Sequence, residues 1–291
     1  MNQKTIYALG FFDGVHLGHQ ALLAECRRLA RLHGCQAGAV TFTAHPDMLV
    51  LGNAPTLLNT TEDRKRLLIA YGMDFVAELP FDKQLMTTHW SAFLSQLLER
   101  GAAGFVCGED FRFGAGGSGT AKKLAAFCKK RNLPHAIVPE QAMDGDRISS
   151  TRIRFLLEQG QLETANRLLG HPHILTGTVQ SGKQLGRTIG FPTANLSLSA
   201  ELLIPKCGVY VCKVTVDNEL YVGITNIGTR PTVNGAGIIA ETHLPDFQGN
   251  LYGKKITLAL YEFLRPEKKF NSLDELKAQI AADMAQAQKI L

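Results

Sequence analysis

The sequence predicts an α/β protein of two domains: a parallel sheet flanked by helices, then a small antiparallel β-barrel with a terminal helix. Two observations support this prediction. Strand-like and helix-like segments alternate over residues 1–171, as they do in parallel sheets with helices on both faces. From residue 172 onward, short strands are separated by Gly, Asn and Pro, which is typical of small barrels. The 291 residues leave room for both domains.

In the first domain, the periodicity of apolar side chains separates strands from helices. The predicted strands are residues 5–9, 37–42, 75–79, 104–107 and 135–138. The predicted helices are residues 18–33, 61–71, 90–100, 121–131, 151–159 and 162–169. Because ligands of parallel sheets bind at the carboxyl ends of the strands, we expect the site in the loops that follow them.

In the second domain, turn chemistry defines the strands. Residues 209–216 and 220–224 are joined by Asp217-Asn218, which predicts a hairpin. Residues 255–261 form another predicted strand. A final helix begins after Ser272, which forms a capping box with Glu275.

Composition narrows the range of partners. The net charge is +5, from 31 basic and 26 acidic residues, which suits anionic nucleotides but is too small and scattered for nucleic acid. Six cysteines without a C-x-x-C pair indicate reduced thiols in a cytoplasmic protein. No 18-residue apolar run or signal peptide is present, so we expect no membrane partner. We expect a monomer or a weak homo-oligomer.

The strongest chemical signal is the segment Gly10-Phe-Phe-Asp-Gly-Val-His-Leu-Gly-His19. A strand ends there, the chain turns through glycines, and a helix begins, so backbone N–H groups form an anion site. His16 and His19 share one face of the first turn and can donate hydrogen bonds to phosphate. The alternative is a pair of surface histidines. The candidate phosphate-binding residues are Gly10, Phe11, Asp13, Gly14 and Gly18, with His16 and His19 as catalytic candidates.

A second signal is Ile148-Ser-Ser-Thr-Arg-Ile-Arg154, which opens a helix with three hydroxyls and two arginines. Hydroxyls cap helices, and arginine grips phosphate through two parallel hydrogen bonds. The alternative is plain capping with solvated arginines. The candidate ATP-binding residues are Ser149, Ser150, Thr151, Arg152 and Arg154.

Together the two segments resemble the nucleotidylyltransferase superfamily, in which H-x-G-H and I-S-S-T-x-I-R hold the ATP triphosphate. Phe42, His45-Pro46 and Gly108-Glu-Asp-Phe-Arg-Phe-Gly114 extend the resemblance to bacterial bifunctional riboflavin kinase/FMN adenylyltransferases. The resemblance implies a Rossmann-like adenylyltransferase domain at 1–171 and a riboflavin kinase domain at 172–291. It also implies that Asp110, Phe111, Phe113 and His45 lie beside the flavin and nucleotide. Ala44 departs from the family, where proline is expected.

The second domain carries Gly177-Thr-Val-Gln-Ser-Gly182 and, after it, Leu185-Gly-Arg-Thr-Ile-Gly-Phe-Pro-Thr-Ala-Asn195. Thr193 and Asn195 point the same way in an extended segment, and hard oxygens suit Mg²⁺. A turn is the alternative for Thr-x-Asn alone. Because G-F-P-T-A-N resembles riboflavin kinases, Thr193 and Asn195 are implied to bind Mg²⁺. The other implied ATP- or flavin-binding residues are Gly177, Gly182, Gly186, Gly190, Phe191, Pro192 and Arg230.

Glu241 begins the segment Glu241-Thr-His-Leu-Pro-Asp-Phe247. By the same resemblance it is the general base that accepts the proton of the ribityl 5′-hydroxyl. Without the resemblance, it would be a solvated residue at the end of a strand.

Two other motif matches are rejected. Residues 114–119 fit the G-x-G-x-x-G pattern of dinucleotide-binding folds, but they lie late in the domain, and we predict a mobile loop there. Residues 177–183 fit G-x-x-x-x-G-K, but Gln184 replaces the Ser or Thr that would hold Mg²⁺.

The sequence therefore predicts a bifunctional enzyme that phosphorylates riboflavin to FMN and adenylylates FMN to FAD, with ATP and Mg²⁺ at both sites. One alternative is a monofunctional FMN adenylyltransferase with a degenerate second domain. Another is a flavin- or RNA-binding regulator without catalysis, although the second domain lacks the basic stripe with interleaved aromatics that this would require.

Overall fold

The computed structural model describes residues 4–52, 54–180, 193–232 and 235–291, without the side chains of 50–51, 229–232 and 235–238. The chain forms two compact units. Unit 1 comprises the chain up to Thr56 and Thr61–Ser149, and unit 2 comprises Leu57–Thr60 and Ser150–Leu291.

Unit 1 is built on a parallel sheet. Its strands, with two short hairpins, are β1 (Thr5–Leu9), β2 (Gln36–Phe42), β3 (Phe75–Leu79), β4 (Ala102–Gly108), β5 (Arg112–Phe113), β6 (Gly119–Thr120), β7 (His135–Val138), β8 (Ala142–Met143) and β9 (Asp146–Arg147). The sheet has the order β3-β2-β1-β4-β7, and each described pair is parallel. The strand order reverses beside β1, and such a reversal opens a crevice at the carboxyl ends of the strands.

Helices cover both faces of this sheet. They are α1 (Leu17–Leu32), α2 (Pro46–Leu51), α3 (Thr61–Ala70), α4 (Lys83–Thr87), α5 (Trp90–Glu99) and α6 (Ala121–Lys130). Because strand side chains alternate between faces, Ile6 and Ala8 join a core with α1, whereas Tyr7 and Leu9 join one with α5 and α6. Burial on both faces explains why β1 is apolar throughout.

The glycine-rich run at 114–119 is more regular than the predicted loop. β5 and β6 pair in antiparallel fashion, and a 3-10 turn at Ala115–Gly117 connects them. Gly114 has a φ of 71°, and a Cβ there would collide with the backbone of Trp90. These glycines therefore serve a tight turn against α5.

Unit 2 is a closed antiparallel barrel with three helices among its described residues. The strands are β10 (His173–Gln180), β11 (Thr193–Ser197), β12 (Gly208–Val216), β13 (Glu219–Thr232), β14 (Gly235–His243) and β15 (Lys255–Arg265). They follow the order β10-β11-β14-β13-β12-β15. The helices are α7 (Ser150–Glu158), α8 (Leu162–Leu169) and α9 (Leu273–Ile290). This confirms the predicted fold class.

The predicted hairpin and helix cap are both present. Val216 faces Glu219 across a two-residue turn, and Asp217 and Asn218 both have positive φ, as a type I′ turn requires. At the start of α9, Glu275 N donates to Ser272 Oγ at 3.2 Å, and the Glu275 carboxylate accepts from Asn271 N.

Helices α7 and α8 pack with the barrel. Asn166 of α8 joins two strands, because its Nδ2 donates to Leu260 O while its Oδ1 accepts from His173 N. Lys206 N also donates to Leu157 O of α7 at 3.0 Å, which ties α7 to the segment before β12. Both helices therefore belong to the same compact unit as the barrel.

The compact units divide between Ser149 and Ser150, apart from the short segment Leu57–Thr60. This division reflects which residues pack together. It does not test the domain boundary at 171/172, which stays a prediction.

All six cysteines are free thiols, and four of them are buried: Cys26, Cys107, Cys128 and Cys212. Burial raises the pKa of the Cys26 and Cys107 thiols to about 12, so neither is a ready nucleophile. Within the described part of the chain, no helix is long and apolar enough to cross a membrane.

Candidate active sites

The predicted residues of unit 1 meet at one edge of the sheet. Gly10 follows β1, His45 follows β2, and Asp110 follows β4. These three strands are adjacent and parallel, so their carboxyl ends open on the same side. Phe11 contacts His45 edge-to-face, with ring centroids 4.7 Å apart.

The turn between β1 and α1 has an unusual backbone. Phe12, Gly14 and Val15 have φ values of 60°, 79° and 40°. A positive φ is costly for a β-branched residue such as Val15 and is found mainly where the surrounding structure enforces it. Side-chain bonds help to hold the turn: Thr41 Oγ1 donates to Phe11 O at 2.8 Å, and Gln20 Nε2 donates to Val15 O at 2.9 Å.

His16 and His19 stack on each other at the start of α1. Their ring centroids lie 3.7 Å apart, and the rings are nearly parallel. His16 is the N-cap of α1, and its Nδ1 accepts from His19 N at 3.4 Å. Because Nδ1 of His16 accepts this bond, it carries no proton. A Cβ at Gly18 would lie 3.1 Å from the His16 ring, so glycine makes room for the stack.

His19 is held in the neutral state. Burial, and then the neighbouring His16, lower its pKa well below the usual value. Its Nδ1 is buried, and no hydrogen-bond partner for it lies among the described residues. The His19 ring is therefore a neutral N–H donor beside the N-terminus of a 16-residue helix, an arrangement that suits an anion.

An apolar cavity of about 310 Å³ lies at the same edge of the sheet. Four phenylalanines supply much of its wall: Phe42 at the end of β2, Phe81, Phe93 and Phe113. Phe111 stacks on Phe113, with ring centroids 5.4 Å apart and an interplanar angle of 16°. This cavity has the size and lining expected for a planar aromatic ligand.

Asp110 forms part of a charged cluster that the sequence analysis did not identify. Arg147 forms an ion pair with Asp110, and its other terminal nitrogen lies 2.6 Å from Glu140 Oε1. Arg147 directly precedes the predicted Ile148–Arg154 motif, and this position in the sequence could have marked it as a candidate. The cluster places a guanidinium beside the predicted flavin residues.

The Ile148–Arg154 motif spans the division between the units. Ile148 and Ser149 end unit 1, whereas Ser150, Thr151, Arg152 and Arg154 belong to α7 of unit 2. The roles of these residues stay predictions.

In unit 2, the predicted residues form rows across three strands. Asn195 on β11 faces Glu241 on β14, and Glu241 faces Asn226 on β13. In the next row, Thr193 faces His243. Residues directly opposite in antiparallel strands project from the same side of the sheet, so the structure brings Thr193, Asn195 and Glu241 together.

These rows lie on the outer side of the barrel. The intervening residues point inward, as shown by Thr242, whose hydroxyl donates to Thr225 Oγ1 at 2.9 Å in the buried interior. A cavity of about 310 Å³ opens on the outer side, and its lining includes Thr193, Glu241 and Asn226. Leu276 and Ile280 of α9 supply apolar wall. The cavity thus joins a polar row to an apolar slot beneath the terminal helix.

The oxygen atoms of this row fit a hard divalent cation. Asn195 Oδ1 is buried and has no hydrogen-bond partner among the described residues. A hydroxyl at Thr193 and an amide oxygen at Asn195 are ligand types that Mg²⁺ takes together with phosphate oxygens. The residues present therefore suit magnesium.

Two side-chain pairs in this cavity were not predicted. Arg265 on β15 makes a two-pronged ion pair with Asp283 of α9, with Nη2 2.7 Å from Oδ2. Asp283 also accepts from Gln279 Nε2 at 2.9 Å. Separately, Asn226 Nδ2 donates to Glu267 Oε1 at 3.2 Å. Neither pair has a local sequence pattern, since the partners are 18 and 41 residues apart.

The remaining candidates of unit 2 have separate outcomes. Gly177 is buried in β10, where a Cβ would lie 2.6 Å from Ser197 O, so close strand packing requires glycine there. Arg230 lies within β13, and its side chain is outside the described set. The following candidates lie outside the described residues: Gly182, Gly186, Gly190, Phe191 and Pro192.

Comparison with known proteins matches both halves of the chain. Residues 1–152 match a family model described as FAD synthetase, and residues 169–291 match one described as riboflavin kinase. The bifunctional riboflavin kinase/FMN adenylyltransferase of Listeria monocytogenes is 37% identical over 284 residues, which cover 96% of this chain and 90% of the relative. The protein of the same name from Escherichia coli K12 is 37% identical over 285 residues, with coverage of 97% and 91%. A crystal structure named as a macrolide-efflux protein from Streptococcus pneumoniae superposes with a TM-score of 0.88 at 30% identity, covering 99% of this chain and 95% of that one.

Proposed function

The chain belongs to the family of bifunctional riboflavin kinase/FMN adenylyltransferases, and from this premise we propose which residues perform each of its two reactions. Both enzyme domains are present, so the chain converts riboflavin to FMN and FMN to FAD. The proposal assigns phosphorylation to the outer face of the barrel in unit 2. It assigns adenylylation to the sheet edge of unit 1.

Glu241 is the proposed general base of riboflavin phosphorylation. Its carboxylate accepts the proton of the ribityl 5′-hydroxyl as that oxygen attacks the γ-phosphorus of ATP, and ADP leaves. The observation that carries this assignment is the row Asn195–Glu241–Asn226 at the mouth of an apolar slot. The slot would receive the isoalloxazine ring, with the ribityl chain directed along the polar row.

Magnesium is the proposed metal of the kinase site, held by Thr193 and Asn195 together with ATP phosphate oxygens. When bound, it would neutralise charge on the ATP phosphates. The Oδ1 of Asn195, which has no hydrogen-bond partner within the described part of the chain, supports this assignment. For Gly177, Gly182, Gly186, Gly190, Phe191, Pro192 and Arg230, the proposed contacts to ATP or flavin rest on the sequence resemblance.

His16 and His19 are the proposed catalytic residues of adenylylation. An FMN phosphate oxygen attacks the α-phosphorus of ATP, and pyrophosphate leaves. Imidazole N–H groups at the start of α1 donate to phosphate oxygens and stabilise the charge that develops on them, and burial keeps His19 neutral. The backbone of Gly10–Gly18 binds the same phosphates, and Ser149, Ser150, Thr151, Arg152 and Arg154 are the proposed further ligands of the triphosphate.

The phenylalanine-lined cavity of unit 1 is the proposed site of the FMN ring. Phe111 and Phe113 form a stacked pair there, and His45 lies near the same edge against Phe11. Asp110 contributes polar contacts and fixes Arg147, whose positive charge suits a phosphorylated ligand.

We also propose that the enzyme works in the cytoplasm, as a monomer or weak homo-oligomer, without nucleic acid or membrane partners. Six free thiols suit a reducing compartment. A net charge of +5 is modest for a protein that binds nucleic acid.

A time course with separated flavins tests the proposal. The purified chain is mixed with riboflavin, ATP and MgCl₂, and samples are resolved by chromatography. We expect FMN to appear first and FAD to follow, and we expect neither product when magnesium is chelated. Formation of FMN at an undiminished rate in excess chelator would contradict the proposed metal site.

A further inference from the structure

Arg64 of α3 is an arginine without any exposed surface. Arginine is almost never fully buried unless it is paired, because removing a guanidinium from water is costly. Its Nη2 donates to Phe42 O, at the end of β2, over 2.5 Å. Its Nε and Nη1 have no hydrogen-bond partner among the described residues. A side chain kept at this cost calls for a functional reason.

The surroundings of Arg64 belong to the adenylylation site. The guanidinium carbon lies 4.3 Å from the centroid of the Phe11 ring, which is cation–π geometry. Helix α3 packs against the 3-10 turn Asp13–Val15. Arg64 thus contacts Phe11, which directly precedes the turn, and Phe42 at the end of β2, which lines the flavin cavity.

Two carboxylates act on the charge of Arg64: that of Asp13, which is itself buried, and that of Glu78. Burial lowers the pKa of Arg64, and the charges of Asp13 and then Glu78 oppose that effect. A buried carboxylate in a turn that must accept the phosphates of ATP would repel them. A buried cation that interacts with Asp13 offsets that charge without occupying the site.

We propose that Arg64 is a positioning residue for adenylyl transfer, which fixes Phe11 and balances the negative charge of Asp13 in the phosphate-binding turn. Being fully buried, Arg64 acts through these two residues and does not touch the nucleotide. The strained backbone at Phe12–Val15 needs such support, since positive φ values persist only where the surroundings enforce them. This inference rests on the proposed adenylylation by unit 1.

The test compares Arg64→Met with wild type in both reactions of the full chain. We expect the kcat/KM for ATP in FMN adenylylation to fall about 100-fold, as a 1 Å misplacement of reacting groups can cause, with a clear rise in the KM for ATP. A mere loss of folded molecules would lower the apparent kcat and leave that KM unchanged. Riboflavin phosphorylation by unit 2 is the internal reference and should keep its rate. Arg66→Met is the matched control, because Arg66 lies on the same helix and is exposed, and its ion pairs are with Glu62 and Asp63.

Two further variants test the mechanism. Arg64→Lys keeps the charge but loses the planar group over Phe11, so we expect partial rescue. Asp13→Asn removes the negative charge that Arg64 balances. In this background, Arg64→Met should lower the kcat/KM for ATP by less than about 10-fold, compared with about 100-fold in the wild-type background. The emission of Trp90, the only tryptophan, reports on the packing of unit 1. If the Trp90 emission shows that Arg64→Met loses that packing, the comparison with and without Asp13→Asn is made with Arg64→Lys instead.

The outcomes are distinct. If wild type does not adenylylate FMN, the proposed function of unit 1 fails. If wild type does so and the folded Arg64 variant keeps its KM for ATP, the inference about Arg64 is wrong. The inference is also wrong if the rate losses of Arg64→Met and Asp13→Asn multiply in the double variant. It is wrong as well if Arg64→Met slows riboflavin phosphorylation as much as FMN adenylylation.

Discussion

Asn195 and Glu241 lie directly opposite each other on β11 and β14, on the outer face of the barrel. The pairing places an amide oxygen, buried and without a hydrogen-bond partner among the described residues, beside the only carboxylate of the row. The amide oxygen of Asn195 suits a metal ion, and the carboxylate of Glu241 suits the role of proton acceptor. Each therefore makes a separate prediction.

Replacing Glu241 with Gln should slow riboflavin phosphorylation by about 100- to 10,000-fold, the usual contribution of a general base. Glutamine keeps the shape but cannot accept the proton. The rate of FMN formation at saturating substrates measures the effect, and Glu219→Gln at an exposed position of β13 is the control. A Glu241→Gln variant that keeps its kinase kcat would rule out this role.

Replacing Asn195 with Ala should raise the magnesium concentration needed for half-maximal kinase activity by at least about 10-fold, within the range seen when support of a metal site is removed. The readout is kinase rate against free Mg²⁺ at fixed ATP. The magnesium dependence of FMN adenylylation in the same variant serves as the control and should not move. An unchanged kinase titration would remove Asn195 from the metal site.

Replacing Asp283 with Asn should loosen α9 and raise the KM for riboflavin. The change leaves the guanidinium of Arg265 without its carboxylate, and breaking such a buried pair costs about 3 kcal/mol. Urea unfolding followed by circular dichroism gives the stability, and kinase kinetics give the KM. Asp274→Asn, on the exposed first turn of the same helix, should leave both quantities near wild type. Equal behaviour of the two variants would contradict a role for the pair.

His173 should make the protein sensitive to acid. Burial, and then His171, lower the pKa of His173 to about 3 in the folded state. The unfolded chain protonates near pH 6.5, so unfolding takes up a proton below that pH. Stability is therefore complete above about pH 6.5 and falls by about 1.4 kcal/mol per pH unit as the pH drops toward 3.

The His173→Leu variant removes this titration. Below pH 6.5, its free energy of unfolding should fall less steeply with decreasing pH than that of wild type. The difference in slope should correspond to the uptake of about one proton on unfolding. Urea titrations at a series of pH values measure both slopes. Identical slopes for variant and wild type would show that His173 does not carry the effect.

Much of the fold could be predicted because it depends on local signals. A few neighbouring residues are enough to predict the strand Thr5–Leu9 and the turn Asp217-Asn218. By contrast, β10 was not predicted, because the glycine within it weakens a strand pattern. Its strand structure depends on partners distant in sequence.

The candidate sites show the same division. His16, His19 and Glu241 were proposed from motifs, and their roles stay predictions. The pairing of Arg147 with Asp110, at a separation of 37 residues, and the burial of Arg64 could not be predicted. A charge pair or a buried cation exists only through tertiary packing, and a single sequence carries no periodicity that reveals it.

The most direct test of two independent sites uses the variants His16→Ala and Glu241→Gln, alone and mixed, with riboflavin, ATP and MgCl₂. We predict that His16→Ala stops at FMN and that Glu241→Gln leaves riboflavin unchanged but converts added FMN to FAD. The mixture should carry riboflavin through to FAD. FAD formation at the wild-type rate by His16→Ala alone, or loss of both reactions in either variant, would contradict the account.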